Sequence, residues 1–161
     1  MTASSPSTPA TVALDRAGIP YTPHVYEHRD TATNFGEEAA AALGLREAQV
    51  FKTLVVQVDD ELVVAVVPVA GRLDLKRIAA MVGGKKATLA APELAERRTG
   101  YVVGGISPIG QRTVLRTVVD ESASSYPTIF VSGGRRGFDI EIAPADLLGI
   151  TTGSTMPIAR D

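Results

Sequence analysis

Lys52 stands alone as a cation inside the apolar run Val50-Phe51-Lys52-Thr53-Leu54-Val55-Val56-Gln57-Val58. On a strand of period two it shares a face with Val50, Leu54, Val56 and Val58. An ammonium on such a face costs free energy unless it reaches water, a counter-charge or an anionic ligand. Two readings stay open on the residues alone. Lys52 either snorkels to the rim or joins a buried ion pair, or it neutralises negative charge on a substrate. Two glycine-rich segments could add backbone donors, Gly104-Gly105-Ile106-Ser107-Pro108-Ile109-Gly110 and Val131-Ser132-Gly133-Gly134-Arg135-Arg136-Gly137. Unshielded amides there could hold a phosphate or an oxyanion, and the plainer alternative is a tight turn between strands. Asp139 alternates with Phe138, Ile140 and Ile142, the ordinary pattern of a wetted strand face. Tyr26 and Phe35 read first as packing residues.

Other chemistries are excluded. The chain has no cysteine, so a thiol nucleophile, a disulfide framework and a cysteine zinc site are absent. The two histidines, His24 and His28, lie on a segment whose Pro23, Val25 and Tyr26 favour a strand. That would hold the rings roughly 13 Å apart and leaves no expected metal site. After Gly110 come Gln111 and Arg112, not the Lys and Ser or Thr of a phosphate-binding P-loop. A nucleophile elbow at Ser107 would need glycine where Ile109 stands, and Pro108 would disturb its turn.

The elements that must position these groups are punctuated clearly. Residues 1–7 read as a flexible Ser- and Pro-rich tail, and 8–161 as a single domain. Thr8 and Pro9 open a helix that Gly18 ends. Residues 21–28 read as a strand, and Asn34 with Glu37 opens a second helix closed by Gly44. Asp59-Asp60 joins strands 50–58 and 62–68 in a hairpin, Asp74 caps a helix running to Gly83, and Pro92 starts one ending near Arg98. Strands are expected at 101–103, 113–119, 128–131 and 138–142, with a last helix from Pro144. The interleaving predicts an α/β fold: a mixed, curved, partly barrel-like sheet flanked by helices.

The formal net charge of −2 carries no global mark of a nucleic-acid binder, and no DNA partner is expected. Basic pairs recur at Lys76-Arg77, Lys85-Lys86, Arg97-Arg98 and Arg135-Arg136. One pair reads as a solvated helix end or turn, whereas several on one rim could guide a phosphate backbone with salt-sensitive affinity. No apolar run approaches the roughly 20 residues of a membrane span, and the opening residues lack a secretory pattern. A cytoplasmic protein is expected.

Six stretches in this order carry a resemblance: Tyr26-Glu27-His28, Thr33-Asn34-Phe35-Gly36, Val50-Phe51-Lys52-Thr53-Leu54, residues 68–76, residues 99–111 and residues 132–141. Together they make the chain resemble the YbaK/EbsC family of Cys-tRNA(Pro) deacylases from about Thr8 onward. The resemblance implies a free-standing editing domain similar to the insertion domain of bacterial prolyl-tRNA synthetases. Such proteins remove cysteine wrongly attached to proline tRNA, recognise the acceptor end, work alongside the synthetase and need no metal or cofactor. By the same resemblance Lys52 is central to activity, and Tyr26, Phe35, Thr53, Gly104, Ser132 and Asp139 line its pocket.

Combining residues and resemblance, Lys52, Asp139, Gly104 and Gly105 are the expected catalytic groups. Tyr26, Phe35, Thr53, Ser107, Ser132, Gly133 and Arg136 are the expected substrate contacts. The resemblance also implies that the substrate's own thiol attacks the ester and releases a cyclic thiolactone, a route that a serine hydroxyl does not share. Strict alternation puts Thr53 opposite Lys52. For both to line one pocket, either a bulge intervenes or Thr53 contributes its backbone.

Overall fold

The computed structural model describes residues 5–29 and 34–161. Residues 1–4 of the expected tail, and Thr33 of the second matching stretch, lie outside the described residues. Helix α1, Pro9–Ala17, begins at Thr8, whose hydroxyl accepts from the Thr11 amide while the Thr11 hydroxyl reaches back, and it ends at Gly18 with φ +69°. Strand β1 is Thr22–Val25, shorter than the expected 21–28. Helix α2, Phe35–Leu43, starts where the Asn34 side chain accepts from the Glu37 amide at 3.0 Å. The hairpin β2, Phe51–Val58, and β3, Glu61–Pro68, has an unbroken register from Phe51↔Pro68 to Val58↔Glu61.

After β4, Arg72–Leu73, come α3, Leu75–Met81, β5, Ala87–Leu89, and α4, Pro92–Thr99. The second half comprises β6, Arg116–Asp120, a 3-10 turn at Glu121–Ser125, β7, Ile129–Arg135, β8, Phe138–Ile142, α5, Pro144–Thr151, β9, Ser154–Met156, and β10, Ala159–Arg160. Residues 101–103 do not form the expected strand. The Gly105 amide bonds the Val102 carbonyl at 2.8 Å and the Val103 amide bonds the Glu96 carboxylate at 2.8 Å, so the segment is a loop tied to α4. The expected strand at 113–119 begins only at Arg116.

A mixed sheet of order β5-β2-β3-β6-β9 and an antiparallel sheet of order β1-β8-β7 meet at a parallel bridge between Val50 and Phe130. The meeting produces the curved, partly barrel-like architecture. Strand β3 is buried on both faces, which explains its unbroken Leu62-Val63-Val64-Ala65-Val66-Val67. Leu62, Val64 and Val66 join the main core with Phe51, Val55, Ile129, Phe138 and Ile140, roofed by Leu14, Ala95 and Leu147. On the opposite face, Val56, Val63, Ala65 and Val118 pack beneath Ile78 and Ile158. A third cluster, Ala40, Val50, Val69 and Phe130, fixes α2 over the junction of the two sheets.

Candidate active site

The site exists because β2 has different neighbours along one edge. Val50 bridges Phe130 of β7, whereas Val56 pairs with Leu89 of β5. The Val50 carbonyl accepts from Val69, so even-numbered residues of β2 direct their amides and carbonyls toward β3. Odd-numbered residues face the other edge, where the Val55 carbonyl accepts from Ala90 at 2.9 Å. Continuing the Val56↔Leu89 register would put Pro92 opposite Thr53. Proline has no N–H to donate and starts α4 instead, so the backbone of Thr53 faces an open edge.

A cavity of about 360 Å³ occupies that gap, and both Lys52 and Thr53 line it. No bulge interrupts β2, so the pocket wraps around the strand edge and takes Thr53 through its backbone as well as its flank. The Lys52 ammonium is half-buried and donates to the Gly71 carbonyl at 3.5 Å, a long contact that leaves it accessible to a ligand. The Thr53 hydroxyl is buried with no hydrogen-bond partner.

Asp139 enters from the other sheet. It sits opposite both His24 of β1 and Ser132 of β7, on a face covered by α2. Only 5% of Asp139 is exposed, and burial pushes its carboxyl up to about 7. Among the described residues no ion pair joins it to Lys52. The Tyr26 phenol beside it is held well above its ordinary range, first by burial and then by the Asp139 charge. Apolar groups complete the walls: Phe35, Leu89, Pro92, Val103 and Ile106.

The structure therefore brings Lys52, Asp139, Gly104, Tyr26, Phe35, Thr53 and Ser132 to one cavity. Gly104, at φ +89°, lets the loop pass Phe35, since a Cβ there would lie 2.9 Å from the ring. The Ser132 hydroxyl accepts from the Gly134 amide at 3.2 Å. Four expected members stand outside the lining. Ser107 is wholly buried, its hydroxyl accepting from the Ile109 amide at 3.2 Å. Gly105 spends its amide on Val102, and a Cβ there would come within 2.7 Å of the Arg135 backbone, so it serves close packing. Gly133 lies over the Phe138 ring, and its carbonyl accepts from the Thr8 hydroxyl.

Arg136 braces the wall from behind. Its guanidinium donates twice to the Val103 carbonyl, at 2.9 and 2.7 Å, and lies 4.9 Å from the Phe35 ring centroid. The histidines are separate: His24 pairs with Glu141 at 3.0 Å and His28 with Glu38 at 2.7 Å. The sequence reading missed Pro92, Leu89 and Val103, whose role depends on how β5 and α4 align with β2.

Residues 28–150 match the model of the aminoacyl-tRNA editing domain. The chain belongs to the aminoacyl-tRNA editing domain family. It is 42% identical over 118 residues to an Enterococcus faecalis protein named "Putative Cys-tRNA(Pro)/Cys-tRNA(Cys) deacylase EbsC", covering 73% of this chain and 72% of that one. The crystal structure of "a putative trans-editing enzyme for prolyl tRNA synthetase" superposes with a TM-score of 0.81 at 28% identity, over 98% of this chain and all of that one. A structure described as a "hypothetical protein" gives a TM-score of 0.84 at 25% identity, over 95% and 100% of the two chains. No helix among the described residues is long and apolar enough to cross a membrane.

Proposed function

We propose that this chain is a trans-editing deacylase that removes cysteine from Cys-tRNA(Pro), with the cysteine sulfur as nucleophile. One observation carries the reading: among the described residues the cavity holds a cation and a buried carboxyl but no activated nucleophile. The Ser132 hydroxyl is tied to a backbone amide and the Thr53 hydroxyl has no base beside it. Neither histidine lines the cavity. Attack must then come from the substrate or from water, and a thiol is far more nucleophilic than either hydroxyl.

On this reading the sulfur–carbonyl bond forms as the bond to the ribose oxygen breaks. The thiol proton ends on the departing ribose oxygen, and a four-membered thiolactone leaves to hydrolyse in water. Lys52 neutralises the terminal ribose-phosphate or the oxyanion, and the Gly104 segment borders the carbonyl. Asp139, having no contact with Lys52, receives the α-ammonium. Tyr26 and Phe35 exclude water. Selectivity by sulfur chemistry suits a cavity of about 360 Å³, which cannot reject a small side chain by size. The enzyme acts on the acceptor end of mischarged tRNA(Pro), working alongside prolyl-tRNA synthetase in the cytoplasm.

The test is deacylation of purified tRNA(Pro) charged with Cys, Ser or Ala, and of Cys-tRNA(Cys), by the wild type and Lys52→Ala. Rapid loss of the cysteinyl ester, survival of the seryl ester, and a folded but inactive Lys52→Ala are expected. Equal loss of the seryl ester would replace sulfur attack by water, and preferential loss of the alanyl ester would replace the substrate.

A further inference from the structure

The cation in the cavity continues outward into a basic ridge. The Gly71 carbonyl that receives Lys52 precedes Arg72 at the start of β4, and β10 pairs antiparallel with β4 in the register Arg160↔Arg72. The approach is close, since a Cβ on Gly71 would lie 2.8 Å from the Arg160 carbonyl. Residues directly opposed on antiparallel strands share a face, with Cβ atoms roughly 5 Å apart, and like charges there repel. Arg72 and Arg160 are both exposed, and among the described residues no carboxylate pairs with either. Exposed Lys76 lies in the first turn of the adjacent α3. The acidic groups nearby are Asp74, which is committed to the Arg77 guanidinium at 3.6 Å and to the Arg77 amide, exposed Glu47, whose carbonyl accepts from the Ala70 amide at 3.2 Å, and exposed Asp161. Arg77 also donates to the Ala159 carbonyl at 2.9 Å, tying α3 to β10.

We propose that the Arg72–Arg160 pair, with Lys76, is a docking surface for the RNA phosphate backbone that leads the acceptor strand into the Lys52 cavity. The surface rests on the functional reading above and adds to it the path of the RNA. A polyanion whose terminal ribose sits at Lys52 must leave over a rim of the cavity. On the rim formed by Val103, the nearest guanidinium, Arg136, is already spent on the loop carbonyl and Phe35. The opposed arginines, by contrast, gain a shared counter-charge that no ion pair among the described residues supplies. Phosphates relieve the repulsion, and neutralising them makes affinity fall with salt.

The experiment compares the wild type with Arg72→Gln/Arg160→Gln and with a control, Lys85→Gln/Lys86→Gln, which removes the same charge at exposed sites beside the β2–β3 turn. Binding of uncharged tRNA(Pro) is measured against salt, independently of cleavage. The ridge variant should bind roughly tenfold more weakly, with a log–log salt slope shallower by about 1.4, from about 0.7 for each single-strand phosphate left without its arginine. In deacylation its KM should rise far more than kcat falls. The RNA-free ridge variant should melt no lower than the wild type, because a repulsive pair has been removed. Unchanged affinity and slope would overturn the proposal, as would an equal effect of the control pair. Loss of affinity confined to an acidic protein partner would assign the ridge to protein instead. A wild type that binds tRNA through the ridge without cleaving the ester would refute the deacylase reading and leave the ridge standing.

Discussion

Asp139→Asn should make the protein more stable, by an amount that depends on pH. Burial raises the carboxyl from its ordinary 3.8 to about 7, with no compensating charge beside it. A raised acid binds a proton more tightly in the folded chain than in the unfolded one. Folding therefore loses stability as pH climbs from about 4 to about 7, and the full penalty persists above that range. The gap corresponds to at most about 4 kcal/mol. Asp139 borders a cavity open to solvent, which lowers this, so a gain of about 2–4 kcal/mol is expected near pH 8. Asparagine keeps the shape and removes the charge. The assay is urea unfolding of both proteins at several pH values with a common m-value, the difference shrinking toward zero near pH 4. The His24–Glu141 and His28–Glu38 pairs are present in both proteins and cancel. A variant less stable than the wild type at pH 8 would contradict this account, since it would mean that the carboxylate is paired, with Lys52 the obvious cation. A difference independent of pH would count against it equally.

Two further substitutions test the walls of the cavity. Arg136→Ala should lower kcat/KM for the cysteinyl ester about tenfold, or about 1.4 kcal/mol, while costing about 1 kcal/mol or less of stability because the side chain is exposed. Arg136→Lys should not restore activity, because an ammonium cannot make the paired contact with Val103, and full rescue by lysine would sink that expectation. Thr53→Val keeps the shape and deletes a buried hydroxyl that has no partner, so stability should hold or rise by about 1 kcal/mol with deacylation retained. A destabilised or inactive Thr53→Val would show that the hydroxyl holds a water or the substrate.

Elements with chemical punctuation were legible in the sequence. Thr8, Asn34 and Asp74 each cap a helix through a side-chain oxygen, and Asp59-Asp60 turns the β2–β3 hairpin. Strands of two or three residues, such as Arg72–Leu73 and Ala159–Arg160, carry no readable period and exist only through their partners. Residues 101–103 have the composition of a strand, yet Glu96 caps the Val103 amide and no strand among the described residues pairs with them. Lys52 stood out because a charge in an apolar run is a local anomaly. Asp139 did not, because its burial comes from α2 and Tyr26, far off in sequence. Gly105, Gly133 and Ser107 share their motifs with pocket residues, but close backbone approach and turn geometry account for them.

The gap that Pro92 leaves beside Thr53 means that part of whatever binds there is met by the main chain. Alanine scanning is blind to such a contribution, because truncating a side chain removes neither an amide nor a carbonyl. Side chains around the gap can therefore drift over evolutionary time while that share of the grip persists. The register between β2 and β5, which decides how long the edge stays vacant, is the property that drift must leave alone.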